Sequence, residues 1–191
     1  GVDREGFVVN SKNQRLQIYP PTGTGTFNTG SLTDLRLTTT DSAPQATGLV
    51  EMTVNLPAGA ALPTNPVFDP LDPSSFTQST SMTVYDSLGS AHTSTYYFVK
   101  GAVPGAWDVH TYIDGNAVGG ANALSYTSAG LLSAPAGGLI TLPAYDPANG
   151  AAPMNLTVDL GDSTQFGGPF GVNALTQDGY AAGRLASIDI N

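Results

Sequence analysis

Length, composition and charge limit what this chain can be. Its 191 residues, 40% of them hydrophobic, are enough to bury a core in one large domain or two small ones, which excludes a disordered chain. The absence of cysteine excludes disulfide scaffolds, thiol catalysis and cysteine-based zinc sites. The net charge of −9 argues against nucleic acid and anionic membranes as partners.

The sequence predicts an all-β fold with little or no helix. Strand-forming runs recur between clusters of Gly, Pro, Asn and Asp, whereas apolar stripes with helical spacing are nearly absent. No apolar run approaches the roughly 20 residues that a membrane span needs. Outside the central region, strands are predicted in chain order over residues 7–10, 15–19, 32–37, 49–56, 139–142, 154–160 and 184–190.

The central region is predicted to be a three-strand antiparallel meander over residues 76–113. Its strands cover residues 79–85, 93–100 and 107–113, and the last of them alternates apolar and polar residues with period two. The connections carry turn residues: D-S-L-G after the first strand, G-A-V-P-G at residues 101–105 after the second and Asp-Gly after the third. We expect this meander to hold the core of its domain.

Two segments are predicted to be loops. Residues 55–75 contain three prolines that directly follow Asn or Asp. Because proline cannot donate a hydrogen bond to a β-ladder, a long surface loop is expected. Residues 161–171 are rich in glycine and are predicted to form a second connection.

Charge is distributed unevenly along the chain, which suggests two domains. Residues 1–43 hold four basic and four acidic residues, whereas residues 44–174 hold nine acids and only Lys100. The sequence therefore predicts a discontinuous inner β domain from residues 1–43 and 175–191, with an acidic outer β domain of residues 44–174 inserted between them. Such insertions are well tolerated because closing a longer loop adds little entropy cost.

Catalytic constellations are not evident. His92, beside a turn, and His110, on the polar side of its strand, are both interpreted as ordinary surface residues. Asp69 and Asp72 could be paired carboxylates for glycoside hydrolysis. Each precedes a proline, however, so we favour the interpretation that they are turn residues, and the same applies to Asp146. The sequence therefore indicates no enzyme, no catalytic residues and no cofactor.

Metal and sugar sites receive only weak support. Asp159 and Asp162 are a slight hint of calcium, but the D-x-[DN]-x-[DN]-G pattern is absent, so no metal site is predicted. A set of aromatic residues on adjacent strands is interpreted as core and cross-strand pairs, with a sugar-binding platform as the alternative. The set comprises Tyr96, Tyr97, Phe98, Trp107 and Tyr112.

Two function classes remain: an extracellular structural module that packs against copies of itself, and an adhesin-like or carbohydrate-binding β module. Only 11% of residues are charged, against about 25% in an average soluble domain. Hydroxyl, amide and backbone groups must therefore form much of the surface. Such a surface suits close self-packing, although it also suits a secreted domain with a neutral surface.

Several motifs resemble the bacterial flagellar hook protein family, in the same order along nearly the whole chain. The most specific is T-V-Y-D-S-L-G-S-A-H at residues 83–92, followed by Y-F-V-K at 97–100 and W-D-V at 107–109. Q-I-Y-P-P-T-G-T at 17–24 and Q-D-G-Y-A-A-G-R-L at 177–185 resemble further family segments.

This resemblance implies a structural, non-enzymatic subunit of an extracellular tube that acts as a flexible universal joint and transmits motor torque to the filament. It implies type III export, a middle β domain with an inserted outer domain, and helical terminal segments that lie outside this chain and drive polymerisation. The implied partners are copies of itself and the rod, hook-cap and hook–filament junction proteins, with no nucleic acid and no membrane. Without the terminal helices, the chain alone is expected to be monomeric.

Overall fold

The computed structural model describes residues 1–37 and 42–183, which divide into two compact units. The smaller unit contains residues 1–37, Ser42 and Gly183, and the larger unit spans Ala43–Ala182. The prediction of a strand at 184–190 falls outside the described residues. The outer domain was expected to end at residue 174, but the larger unit ends eight residues later, at Ala182. The reason is that a strand of this unit, Gly171–Gln177, crosses residue 174.

Fourteen strands are present in the described residues. Those of the smaller unit are β1 (Gln17–Ile18), β2 (Pro21–Gly23), β3 (Thr26–Phe27) and β4 (Thr33–Asp34). Those of the larger unit are β5 (Leu49–Asn55), β6 (Gln78–Tyr85), β7 (Ala91–Lys100), β8 (Ala106–Ile113), β9 (Asn116–Ala117), β10 (Asn122–Tyr126), β11 (Leu132–Ala134), β12 (Leu139–Thr141), β13 (Thr157–Asp159) and β14 (Gly171–Gln177).

The all-β prediction is confirmed. Across the described residues, helix is limited to one 3-10 turn at Ala136–Gly138. No helix in this part of the chain has the length and apolarity to cross a membrane.

The first sheet of the larger unit contains the predicted meander. Its strand order is β11-β10-β8-β7-β6, with β9 paired to β8, and every pairing is antiparallel. The turn between β8 and β9 holds Asp114 and Gly115 with positive φ angles of 49° and 79°, which is the backbone that a two-residue hairpin requires. The strands of this sheet are thus determined by local sequence signals, namely the turn residues and the alternation of apolar and polar residues.

The second sheet has the order β12-β13-β5-β14 and was only partly predicted. β5 pairs in parallel with β13 and antiparallel with β14, across a register shift between Val172 and Ala174. The sequence predicted the regions of β5, β12 and β13 but not β14, nor the short strands β2, β3, β9, β10 and β11. Residues 7–10 form only isolated bridges rather than a strand.

The core of the larger unit lies between the two sheets. Alternate side chains of both sheets point inward and form one hydrophobic cluster with residues of the adjoining loops. The largest fully buried members are Trp107, Tyr96, Phe98, Met52, Leu56, Ile113, Leu124, Met154, Leu156, Leu160, Val50 and Val54. Close packing of this kind makes the unit resist deformation.

The proline-rich segment before β6 covers the outer face of the first sheet. The predicted loop is confirmed, because residues 56–77 contain no strand. Phe68 lies flat on His110, with ring centroids 3.8 Å apart and planes 12° apart. Phe76 packs edge-on against Tyr97 at 4.9 Å. These contacts attach the loop to the outward-facing side chains of β7 and β8.

The two ends of the larger unit are hydrogen bonded to each other. Gln45 and Tyr180 exchange two backbone hydrogen bonds of 3.0 and 2.9 Å. One carboxylate oxygen of Asp178 accepts from the backbone N–H groups of Gly48 and Leu49, and Thr47 donates to Gln177 at 2.8 Å. The unit therefore begins and ends at neighbouring points.

The smaller unit is held mainly by short pairings and surface charges. The Arg15 guanidinium contacts Glu5 at 2.9 Å and Asp34 at 3.3 Å, and it lies over the ring of Phe7. Arg36 donates from Nε to the backbone oxygen of Glu5. Exposed ion pairs of this kind contribute little stability individually.

Candidate functional site

His92 is at the centre of a buried charged cluster, so its interpretation as an ordinary surface residue was wrong. Only 9% of its surface is exposed, and both of its ring nitrogens face carboxylates. Nδ1 lies 2.6 Å from Oδ2 of Asp114, and Nε2 lies 3.2 Å from Oδ2 of Asp86. The register that pairs Ser94 of β7 with Ile113 of β8 places the β8–β9 turn beside His92.

Asp86 is completely buried and fully hydrogen bonded. Its Oδ1 accepts from the backbone N–H groups of Leu88 and Ser90, at 2.8 and 2.9 Å, which shapes the β6–β7 turn. Its Oδ2 accepts from Nδ2 of Asn149 at 2.6 Å in addition to facing His92. A buried carboxylate is tolerated only with such compensation.

The pKa values within this cluster shift in the directions that favour charge. Burial alone would lower the pKa of His92, but its hydrogen bonds to Asp114 and Asp86 outweigh burial and raise it above the ordinary 6.5. Burial would raise the pKa of Asp86, yet hydrogen bonds from Asn149, His92 and the turn amides hold it far below its usual range. The pKa of Asp114 is also lowered, because the hydrogen bond to His92 outweighs partial burial.

The cluster joins three loops rather than presenting a reactive group. Asp86 and Asp114 belong to two hairpin turns, and Asn149 belongs to the segment between β12 and β13. The nearby hydroxyl of Ser87 accepts a hydrogen bond from the backbone N–H of Ala152, which attaches that segment at a second point. What this arrangement can do chemically is hold loops together through charge-assisted hydrogen bonds.

His110 lies on the polar side of β8, as predicted, but it is half-buried beneath Phe68 rather than freely exposed. Burial lowers its pKa, although the charge of Asp108 opposes this. Its role in the structure is to support the proline-rich loop.

The aromatic set is divided between the two faces of the sheet. Tyr96, Phe98 and Trp107 are buried in the core, Trp107 with only 1% exposure. Tyr97 and Tyr112 lie on the outer face, where their rings meet edge-on at 5.6 Å under the loop. Core and cross-strand packing is thus what the structure shows. The five rings do not share one exposed surface, so a sugar-binding platform is not favoured.

The remaining predicted carboxylates serve as turn residues. Asp69 accepts from the backbone N–H of Leu71, and Asp146 accepts from that of Ala148. Hydrogen bonds from the Asn65 side chain and from Ser74 lower the pKa of Asp72. The bonds from the backbone N–H groups of Leu71, Ser74 and Ala148 close local Asx turns.

The hint of calcium at Asp159 and Asp162 gains no support from the geometry. Oδ1 of Asp159 accepts a hydrogen bond from Gly161, which closes another local turn. Over residues 1–37 and 42–183, no three His, Cys, Asp or Glu side chains form a group that could hold a metal ion.

Comparison with known proteins identifies the family. A family model described as the flagellar basal body protein FlaE D2 domain matches residues 55–180, which is most of the larger unit. The chain belongs to this family. The predicted resemblance to flagellar hook proteins is confirmed by this match and by the relatives described next.

Curated relatives of this FlaE D2 domain chain are hook proteins. The flagellar hook protein FlgE of Escherichia coli strain K12 is 32% identical over 196 residues, covering all of this chain and 48% of the relative. FlgE of Salmonella typhimurium is 29% identical over 198 residues, with the same coverage. The chain therefore spans about half the length of the curated relatives it matches.

A solved structure shares the fold. The flagellar hook protein FlgE2 of Helicobacter pylori matches with a TM-score of 0.57 and 12% identity, covering 96% of this chain and 73% of that one. At this identity the match shows the fold alone.

The larger unit combines exposed apolar residues in the proline-rich loop with a negative net charge. Leu71 is 89% exposed and Val67 is 71% exposed, both near the tip of the proline-rich loop. Ten acids and the single cation Lys100 occur in Ala43–Ala182, so this unit carries the net negative charge of the chain. The acidic character was predicted from the sequence, whereas the exposure of Leu71 and Val67 was not.

Proposed function

We propose that this chain is part of a structural subunit of the bacterial flagellar hook, which polymerises with copies of itself into a flexible tube. The observation that carries the proposal is the family match over residues 55–180, together with hook-protein relatives that align with the whole chain. In this role the protein works outside the cell as a universal joint, and it performs no enzymatic reaction.

The physical properties of the larger unit support a mechanical role. A tube that bends while it transmits torque needs bodies that resist deformation, and the close-packed core between the two sheets supplies this stiffness. It also needs contacts that exchange easily. Polar, hydrated contacts without interlocked hot spots allow neighbouring bodies to slide, and the charge-poor, hydroxyl-rich composition favours them.

The proposal includes a division of labour between the units. The smaller unit, discontinuous in sequence, corresponds to an inner domain, and the larger acidic unit corresponds to an outer domain that contacts neighbouring copies. Polymerisation would be driven by parts of the full-length protein beyond this chain, with the rod, hook-cap and hook–filament junction proteins as end partners. The isolated 191-residue chain should therefore sediment as a monomer.

Immunogold electron microscopy tests the proposal directly. Antibodies raised against the 191-residue chain should decorate the short curved segment between the cell body and the filament in the source bacterium. A strain that lacks the gene should have no decorated hooks and no motility. Gold on the filament or cell surface, with unlabelled hooks, would contradict the proposal.

The carbohydrate-binding alternative is not favoured. It was raised for the aromatic residues of the central strands, and of these Trp107, Tyr96 and Phe98 are buried, while Tyr97 and Tyr112 are half-buried beneath the proline-rich loop.

A further inference from the structure

We propose that His92 is a proton-dependent clamp at one end of the larger unit. With both ring nitrogens protonated, it binds the β6–β7 turn to the β8–β9 turn and, through Asp86, holds the 145–152 segment in place. Loss of one proton releases this clamp. The inference concerns the chain itself and does not depend on the hook assignment.

The geometry requires a doubly protonated ring. Nδ1 faces an oxygen of Asp114 at 2.6 Å and Nε2 faces an oxygen of Asp86 at 3.2 Å. A carboxylate only accepts hydrogen bonds, and a neutral imidazole has one donor and one acceptor nitrogen. A neutral His92 would therefore direct a lone pair at one of the two carboxylates, and only the imidazolium satisfies both.

Within residues 43–182, no other cation can take the place of His92. Lys100 is the only Lys or Arg in residues 43–182, and its ammonium group is engaged with the backbone oxygen of Ala58 and lies near the ring of Trp107. Without the His92 charge, the completely buried Asp86 keeps only neutral hydrogen-bond donors. An unpaired buried charge is strongly destabilising.

The elements packed around His92 present few other titratable groups. On β6 the opposite residue is the apolar Val84. The two turns contribute Asp86 and Asp114, and the 145–152 segment contributes the neutral amide of Asn149. Tyr145 and Asp146 lie on the same segment, but their side chains are engaged with Asn116 and Ala148 respectively. The proton on His92 is therefore the one whose loss near neutral pH changes the cluster.

The pH window follows from the direction of each shift. The pKa of His92 is raised in the folded state, so its contribution is complete below 6.5 and is lost as the pH rises through the folded-state pKa. The pKa values of Asp86 and Asp114 are lowered, so their contribution is present above the ordinary 3.8 and is lost as the pH falls through their folded-state values. The clamp is strongest between these limits.

The clamped turn also packs against both ends of the larger unit. Gly89 has a φ of +80°, and a Cβ added there would lie 2.7 Å from Cβ of Pro44 and 3.1 Å from the backbone nitrogen of Ala182. This turn and the residues that begin and end the unit are therefore in close contact. Releasing His92 should loosen the ends of the unit as well as the 145–152 segment.

Two measurements on the 191-residue chain test the clamp. The first is an NMR titration of the imidazoles, which is simple to assign because the chain has two histidines. His92 should titrate above 6.5, with both ring nitrogens protonated below its midpoint. The second is hydrogen exchange of the Ser90 and Ala152 amides, corrected for intrinsic base catalysis. Their protection should fall about tenfold for each pH unit between 6.5 and the folded-state pKa of His92.

Matched variants separate the clamp from general pH effects. His110→Gln should leave both results unchanged, whereas His92→Gln should abolish the pH dependence of Ser90 and Ala152 exchange. If His92→Gln fails to fold, Asp114→Asn serves instead, because Asp114 is only partly buried. It should lower the titration midpoint of His92. A wild-type midpoint at or below 6.5, or amide protection that does not change across the midpoint, would overturn the proposal.

Discussion

Gly105 and Gly115 show how a single residue controls a turn in this fold. Both have positive φ angles, 80° and 79°. A Cβ added at Gly115 would meet open space, whereas a Cβ at Gly105 would overlap the backbone oxygen of Tyr126 on the neighbouring strand. The two positions therefore have the same left-handed backbone conformation, but only Gly105 lacks space for a side chain.

Gly105→Ala should therefore destabilise the chain more than Gly115→Ala. The Gly115 variant should lose about 1 kcal/mol, the cost of left-handed backbone for an L-residue. The Gly105 variant should lose about 1–3 kcal/mol more, because the β10 backbone must move to make room. Urea unfolding of both variants measures the difference. Equal losses would show that the contact with Tyr126 is relieved without cost.

The charged cluster illustrates what residue-level sequence reading can and cannot find. Asp86 and His92 lie close in sequence around a turn whose chemistry was recognised. Asp114 and Asn149 are 22 and 57 residues from His92, and only the strand register and the course of the 145–152 segment bring them to it. The buried state of His92 was therefore not predictable from local pattern.

At the scale of elements, Phe68 is the main anchor of the proline-rich loop, because it meets three rings of the sheet whereas Phe76 meets one. Phe68 stacks on His110 and approaches Tyr97 at 5.5 Å and Tyr112 at 6.0 Å, while Leu71 nearby in the same loop is almost fully exposed. The loop should therefore separate from the sheet when the anchor is removed but not when Leu71 is truncated.

Phe68→Ala should raise the pKa of His110, because burial is what lowers it. It should also speed proteolytic cleavage within residues 57–75, since the loop loses its main contact with the sheet. Leu71→Ala is the matched control and should leave both quantities unchanged. An unaltered His110 midpoint in the Phe68 variant would show that the loop is held elsewhere.

Some strands could be predicted from the sequence and others could not. β6, β7 and β8 were predicted because their alternation and turn residues are local signals. The parallel pairing of β5 with β13 joins segments about a hundred residues apart, and nothing local encodes it. β14 was missed because its side chains are mostly exposed or half-buried and show no period-two apolar pattern.

At the scale of the whole molecule, the uneven charge predicted an outer domain that ends at residue 174, whereas the larger compact unit of the structure ends at Ala182. Residues 175–177 carry little charge information, yet they pair with Val50, Glu51 and Met52 of β5. Asp178 then bonds the start of β5 through its carboxylate. Hydrogen bonding between distant segments, rather than composition, sets the limit of the larger unit.

This difference predicts the behaviour of two excised fragments. Residues 43–182 should fold alone and unfold cooperatively, because their core and terminal hydrogen bonds are internal. Residues 44–174 lack the end of β14 and Asp178, and should be less stable by at least about 2 kcal/mol, since several backbone hydrogen bonds are lost. Thermal and urea unfolding compare the two. Equal stability of the two fragments would show that the folded unit does not need residues 175–182.

The paired ends of the larger unit have an evolutionary consequence. Gln45 and Tyr180 place the incoming and outgoing chain side by side, so a host polypeptide needs only one exposed loop to receive this unit as a graft. Any domain whose N- and C-termini lie side by side could replace this unit, whether it is larger, smaller or differently charged. The grafted unit could then diversify while the recipient loop stays the same.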